Sequence, residues 1–223
     1  MKIIARIRTD FKEKFGIPRQ AGLVPELIGK IVFEPEYRVD EALRGIEGYS
    51  HLWLIWEFSE AKVEGWSPTV RPPRLGGNRR MGVFATRSPY RPNPIGLSSV
   101  KLLEVKRCEG EGTVLIVQGA DLLDGTPIYD IKPYLAFTDS HPEAVSGFAD
   151  GVRGDRLSVE IPEELLLRLG EARRSAVAEL LAQDPRPHYQ NDPERVYGMK
   201  YAEYEIKFRV SDNTVFVVDI IKE

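Results

Sequence analysis

Six arginines, at positions 71, 74, 79, 80, 87 and 91, fall within the stretch RPPRLGGNRRMGVFATRSPYRPNPIGLSSV, and no acidic residue lies between Gly65 and Leu103. The whole chain carries 34 acidic against 31 basic side chains, so this segregation of charge is local. Guanidinium groups suit planar, bidentate recognition of carboxylate or phosphate. Pro72, Pro73, Pro89, Pro92 and Pro94 fix φ and exclude helix over much of the stretch. Gly76, Gly77, Gly82 and Gly96 allow a close approach of the backbone to a ligand, or a positive φ. The combination predicts a rigid loop system that holds an anionic partner.

Two carboxylates, Asp121 and Asp124 in DLLDG, are the acidic counterpart. Aspartate suits a ribose diol or an ammonium group, so a ligand with an amine, a carboxylate and a ribose could sit between the two elements. S-adenosylmethionine has all three and a sulfonium besides; on composition it is one possibility among several. Other chemistries find less support. His51, His141, His188 and Cys108 never fall at metal-ligand spacing, so no metal site is expected. Neither G-x-S-x-G, G-x-G-x-x-G nor G-x-x-x-x-G-K-[ST] occurs, which disfavours an elbow-type hydrolase, a Rossmann site and a P-loop. A single cysteine excludes an internal disulfide and fits a reducing compartment. No apolar run approaches the roughly 20 residues that span a bilayer, and the start MKIIARIRTDFKEKF lacks a signal-peptide core, so a cytoplasmic location is expected.

The elements that must position these residues read as mainly β at first. Strands are predicted over Lys2–Arg8, Leu27–Phe33, Tyr49–Phe58, Met81–Thr86, Ile95–Val105 and Thr113–Gln118. Tyr49–Phe58 is apolar in both alternating sets, so both its faces are expected to be covered; His51 at its start reads as a satisfied core or edge histidine. Asp40 is placed to cap a short helix over EALRGIEG. The loop FKEKFGIPRQAGLVPE carries turn signals at Pro18 and Pro25, and reads equally as a solvated connector or as a place for Arg19 and Gln20 to meet a ligand. Short strands with Gly/Pro turns up to about residue 140 indicate a small barrel or sandwich. Beyond it, Pro162 opens a helical region with Leu165, Leu166, Leu169, Val177, Leu180 and Leu181 at helical spacing. Tyr201–Val210 and Val215–Ile221 then predict a hairpin. The expected organisation is a domain over 1–148 and a small α+β domain, helix plus hairpin, over 149–223.

The run GGNRRMGVFATRSPYRPNPIGLSSVKLLEV, with IRTDFKEKFGIPRQAGLVP before it and DLLDGTPIYDIKPY after it, resembles the TrmO (TsaA-like) family of tRNA methyltransferases. DPRPHY, at 184–189, resembles the family's C-terminal part. The resemblance implies a β-barrel methyltransferase unrelated to the Rossmann type, a homodimer that uses S-adenosyl-L-methionine. The implied reaction is N6-methylation of a threonylcarbamoyl-adenosine beside the anticodon of threonine tRNA. By the same similarity, cofactor contacts fall on Pro18, Arg19, Gln20, Arg87, Leu97 and the turn Asp121, Leu122, Leu123, Asp124. They also fall on Ser59 and Glu60, where family members often carry histidine followed by a polar residue.

Within that reading Asn93, followed by Pro94, is the catalytic candidate. It would accept hydrogen bonds from the adenine amine and leave the lone pair aimed at the methyl group, as Asn or Asp before proline does in unrelated adenine-amino methyltransferases. A turn asparagine before proline predicts the same residue. Tyr90 is a candidate for stacking on the base, or a core side chain. Arg71, Arg74, Arg79, Arg80 and Arg91 are candidates for phosphates of the anticodon stem-loop. Arg186, His188 and Tyr189 follow a helix and would either extend the RNA surface or support a dimer. A non-catalytic RNA- or nucleotide-binding barrel and a same-fold methyltransferase with a small-molecule acceptor are the competing readings.

Overall fold

A computed structural model describes residues 1–61, 65–72, 75, 79–152, 156–186 and 192–223, with nothing said of the Val152 side chain. Arg74, His188 and Tyr189, together with Pro73, Gly76 and Gly77, lie outside the described residues.

The strands of the first half are β1 (Ala5–Arg8), β2 (Ile28–Phe33), β3 (His51–Glu57), β4 (Thr69–Val70), β5 (Met81–Gly82), β6 (Ile95–Cys108), β7 (Gly112–Gln118) and β8 (Pro127–Pro133). Six of them form a closed barrel in the order β1-β2-β7-β6-β3-β8, with β8 returning to β1 through Ala5 opposite Ile128. Every pairing in the ring is antiparallel. The long β6 serves two neighbours, its first half pairing β3 (Leu97 opposite Ile55) and its second half β7 (Lys106 opposite Val114). Period-two alternation decides what faces inward. On β3, Leu52, Leu54 and Trp56 are buried in the barrel, while Trp53, Ile55 and Glu57 are half-buried on its outer side. Outer cover at this strand is therefore partial, where the sequence predicts cover on both faces.

Two local expectations fail for identifiable reasons. The predicted strand Met81–Thr86 ends at Gly82 and becomes a 3₁₀ turn over Val83–Ala85. The Val83 side chain is buried, its amide donates to Pro68 O at 2.9 Å, and Thr86 Oγ1 donates to Val83 O at 2.9 Å, so the chain tightens instead of extending. Asp40 caps no helix: Val39 precedes a 3₁₀ turn over Asp40–Leu43. The Asp40 carboxylate instead accepts from Thr113 Oγ1 at 2.7 Å and from Arg107 at 3.1 Å.

After a short α1 (Ala136–Asp139) come β9 (Ser158–Glu160), α2 (Glu163–Leu166), α3 (Glu171–Ala182), β10 (Tyr197–Tyr201), β11 (Tyr204–Ser211) and β12 (Thr214–Lys222). They form a second sheet in the order β10-β11-β12-β9, where β9 runs parallel to β12. The hairpin read from the sequence is thus flanked on both sides. The predicted strand from Tyr201 is divided by a turn at Ala202, whose φ is +55°.

The second core joins Leu165, Leu169, Val177, Leu180 and Leu181 to the inner face of this sheet, and it also takes in Phe11, Val24 and Leu27 from the β1–β2 loop. That loop is clamped to the second sheet. Arg173 forms a two-pronged ion pair with Asp10, the Ala202 amide donates to Asp10 O at 2.8 Å, and the Phe11 and Tyr201 rings lie 5.3 Å apart. At Gly16, with φ +93°, a Cβ would collide with the Met199 side chain.

Candidate functional site

A cavity of about 850 Å³ opens where one end of the barrel meets the clamped loop and the arginine-rich segment. Its barrel wall comes from the end of β3 (Trp53, Trp56, Glu57, Phe58), the start of β6 (Ile95–Ser99) and the turn after β7 (Asp121, Leu123). This wall is locked by a chain of hydrogen bonds. The Trp56 indole N–H donates to Ser98 Oγ at 3.0 Å, and the Ser98 hydroxyl donates to Asp121 Oδ1 at 2.6 Å. Trp56 packs against Gly96, where a Cβ would collide with the indole ring. The glycine is there for the tryptophan, and Gly82 has an ordinary negative φ of −57°.

Burial pushes the Asp121 carboxyl above its ordinary value of 3.8, against the lowering effects of the Ser98 hydroxyl, the backbone amides of Asp121 and Ala21, and the Arg87 charge. Also on the cavity, Glu57 accepts a 2.6 Å hydrogen bond from the Tyr129 hydroxyl. That bond, with burial and the carboxylate charge, pushes the phenol up to about 12.

The facing wall is the loop Lys14–Ala21, with Ile17, Pro18, Arg19 and Gln20 on the cavity. Arg87 donates to Gln20 Oε1, and Lys14 Nζ donates to Glu60 O at 2.8 Å, which ties this loop to the arginine-rich segment and to the end of β3. The rim is Thr86, Arg87, Pro89, Tyr90, Arg91 and Asn93. Arg91 braces it from within, donating to Thr86 O at 2.9 Å and Ser88 O at 3.4 Å. The Asn93 backbone carbonyl accepts from Ile95 N at 2.7 Å in the turn, leaving its exposed side chain on the cavity. The turn residue and the cavity residue are thus the same.

The structure gathers Pro18, Arg19, Gln20, Ser59, Glu60, Arg87, Leu97, Asp121, Leu123, Tyr90, Arg91 and Asn93 around one cavity. Leu122 turns its side chain into the barrel core. Asp124 faces away from the cavity, accepting from the Thr9 amide at 3.1 Å and pairing with Lys12 at 2.6 Å. Burial acts to raise the Asp124 carboxyl, but these partners bring it below its ordinary value. Arg71, Arg79 and Arg80 are exposed and stand off the cavity, with Arg80 donating to Thr69 Oγ1 at 3.3 Å. Lys14, Trp53, Trp56, Glu57 and Ser98 were missed by sequence reasoning. Ser98 had a signal, since it is the polar member of the inward set Gly96, Ser98, Val100 on β6.

Among the described residues no group of three or more His, Cys, Asp or Glu could hold a metal ion, and no helix is long and apolar enough to cross a membrane. The donor set suits a zwitterionic nucleoside: the half-buried Asp121 carboxylate, the guanidinium groups of Arg19, Arg87 and Arg91, the amides of Gln20 and Asn93, and apolar walls from Ile17, Leu97 and Leu123.

The tRNA-methyltransferase O N-terminal domain matches residues 6–140, and the TrmO C-terminal domain matches residues 155–223. The chain belongs to the TrmO family. It is 44% identical over 217 residues to the tRNA (adenine(37)-N6)-methyltransferase of Escherichia coli (strain K12), covering 94% of this chain and 92% of that protein. A Pyrococcus abyssi protein named "Probable S-adenosyl-L-methionine-binding protein" is 42% identical over 132 residues, 59% of this chain and 66% of its own length. The crystal structure of TrmO from Pseudomonas aeruginosa superposes with a TM-score of 0.79 at 34% identity, covering 99% of this chain and 95% of that one.

Proposed function

We propose that this protein transfers a methyl group from S-adenosyl-L-methionine to N6 of the adenosine beside the anticodon of a tRNA, adenosine 37, and that its substrate is the threonylcarbamoyl-modified adenosine of threonine tRNA. The observation that carries the reading is the convergence of the Asp121 carboxylate, the Arg19, Gln20 and Arg87 side chains and the Asn93 amide on one cavity. Family membership and the relatives' names support the same chemistry.

Bound there, S-adenosylmethionine would supply an activated methyl group on a sulfonium. The residues of this chain have the work of positioning. Asp121, held by Ser98, takes the ribose diol or the ammonium group, and Arg19 and Arg87 take the carboxylate. Pro18, Leu97 and Leu123 exclude water, with Ser59 and Glu60 closing the end of the β3 side. The turn from Asp121 to Asp124 contributes Asp121 and Leu123 directly, while Leu122 and Asp124 fix its shape. Asn93 Oδ1 accepts the hydrogens of the adenine amine, so that the nitrogen lone pair points along the transfer line. Arg71, Arg79, Arg80 and Arg91 meet RNA phosphates, with Arg74 assigned to the same role from the sequence alone. The division into domains 1–148 and 149–223 belongs to this reading and is supported by the two separate cores, with the β1–β2 loop donating to the second. A homodimer and a cytoplasmic location belong to the same reading.

The deciding experiment is methyl incorporation from labelled S-adenosylmethionine into threonine tRNA carrying the threonylcarbamoyl group, followed by mass spectrometry of the nucleosides. The N6-methylated threonylcarbamoyl nucleoside is expected, and it should disappear with Asn93→Ala while cofactor affinity holds. Cofactor binding without methyl transfer to any tRNA would overturn the proposal in favour of a binding module.

A further inference from the structure

The arginine-rich segment carries a second feature, outside the cavity and formed by aromatic rings. Phe84 is 72% exposed and Trp66 54% exposed, and their ring centroids lie 6.1 Å apart with 32° between the planes. The Arg91 guanidinium also sits by the Phe84 ring, 6.0 Å from its centroid. Large aromatic rings left in water forgo the burial that would stabilise the fold, so an exposed cluster calls for a partner.

The backbone holds these rings out. Val83 is buried, its amide fixed on Pro68 O at 2.9 Å, and in the 3₁₀ turn over Val83–Ala85 the next side chain, Phe84, is left exposed. Following Trp66 in the chain, the short β4–β5 ladder pairs Thr69 with Gly82 and Val70 with Met81. The arrangement continues into the cavity through Arg91, which lines the cavity rim and faces Phe84.

The electrostatic setting selects the partner. Arg71, Arg79 and Arg80 stand exposed on the same segment, and no acidic residue occurs from Gly65 to Leu103. A polyanion with flat, apolar faces fits rings interleaved with guanidinium groups, and this is the chemistry by which unpaired nucleotides are bound.

Resting on the function proposed above, we propose that Trp66, Phe84 and Arg91 form a stacking platform for an unpaired base of the anticodon loop next to the target adenosine. The platform would hold the neighbour while the target enters the cavity, and so set the register of the loop against Asn93. Stacking recognises the π-face and not the base edge, so the platform should tolerate any base at that position.

The test uses the full-length protein with threonine tRNA and with a matching anticodon stem-loop RNA in which one loop nucleotide beside the target is abasic. Phe84→Ala should raise the tRNA KM about tenfold, and Trp66→Ala severalfold, while S-adenosylmethionine affinity stays unchanged. Phe84→Tyr, which keeps the ring, should behave as wild type. The abasic RNA should bind wild type about tenfold more weakly than the intact RNA, yet show no such difference with Phe84→Ala, because the two changes remove the same contact.

An RNA affinity untouched by Phe84→Ala, or independent losses from the two changes, would overturn the platform. Dissociation of a dimer by Phe84→Ala in sedimentation would overturn it too, assigning the rings to a second copy of the chain. A wild-type protein that methylates tRNA while these comparisons fail would leave the underlying function standing. One that neither binds nor methylates tRNA would remove both.

Discussion

The barrel wall of the cavity is fixed from within, and the loop wall is fixed from behind. On the barrel side, Trp56 and Ser98 lie on strands already joined by the sheet ladder, and hydrogen bonds of 3.0 and 2.6 Å link them to each other and on to Asp121 in the turn after β7. On the loop side, residues 14–21 contribute no strand; besides the Lys14 and Gln20 side-chain ties, their anchor is the C-terminal unit: Arg173 of α3 on Asp10, Met199 against Gly16, Tyr201 against Phe11. A ladder with interdigitated side chains leaves little freedom, whereas a loop without regular hydrogen bonds is only as ordered as its anchors. The C-terminal unit thereby acquires a task beyond its own stability, which is to hold half of the cavity in place.

Breaking the barrel wall should have the largest effect. Gly96→Ala puts a methyl group inside the space of the Trp56 ring, in a buried position flanked by sheet, so neither partner has room to move aside. Overpacking of this kind costs about 3 kcal/mol, which for a chain of this size lowers Tm by roughly 6–12 °C. Because Trp56 orients Ser98 and Ser98 orients Asp121, cofactor affinity should fall as well. Thermal unfolding and cofactor titration check both; a Tm within about 1 °C of wild type would show that the indole is not the constraint on Gly96.

The carboxylate at the centre of that wall allows a sharper test, since its contributions to stability and to binding have opposite signs. Burial raises the Asp121 carboxyl above its ordinary 3.8, so protonation favours the folded state. Its favourable contribution is complete below the ordinary value and is lost as pH rises through the raised one. At neutral pH the charged carboxylate is therefore a cost to stability, kept for what it binds. Asp121→Asn should leave Tm unchanged or raised at neutral pH while weakening S-adenosylmethionine binding about 10- to 100-fold, as expected for a hydrogen bond to a charged group. In wild type, affinity should fall on acidification through the raised value, starting at a higher pH than an ordinary carboxylate would give, and the Asn variant should lack that dependence. Calorimetric titration across pH decides it. A parallel pH profile in the two proteins would move the cofactor contact away from Asp121.

The two walls also differ in how far they could be read from the chain. The mainly β character, the strand at Tyr49–Phe58 and the apolar helical stripe from Leu165 to Leu181 were legible, because period-two and helical spacing are local properties. So was the placing of Arg87 and Arg91 in a loop system that borders the cavity. That β6 serves both β3 and β7 was not legible, since ring order depends on pairings far apart in sequence. Neither was the chain Trp56–Ser98–Asp121, in which three residues spread over 66 positions meet only in the barrel. The clamp is harder still. Asp10 and Arg173 are 163 residues apart, and each reads alone as an ordinary surface charge.

That clamp gives the smaller but more selective prediction. The Arg173 and Asp10 side chains are 32% and 26% exposed, so solvent screens the pair and its removal should cost only about 1 kcal/mol of global stability. Its effect should instead appear in the loop. Arg173→Ala frees Asp10, and with it the segment that carries Pro18, Arg19 and Gln20, so S-adenosylmethionine affinity should fall about tenfold with the barrel intact. Amide exchange should rise over residues 14–21 and stay constant in β3 and β6. Arg173→Lys keeps the charge but loses the two-pronged geometry, and should lie between the two. If affinity fell while exchange in the loop did not change, the loop would not depend on its anchor. The C-terminal sheet would then be no more than a neighbour of the site, and the contrast between the two walls would vanish.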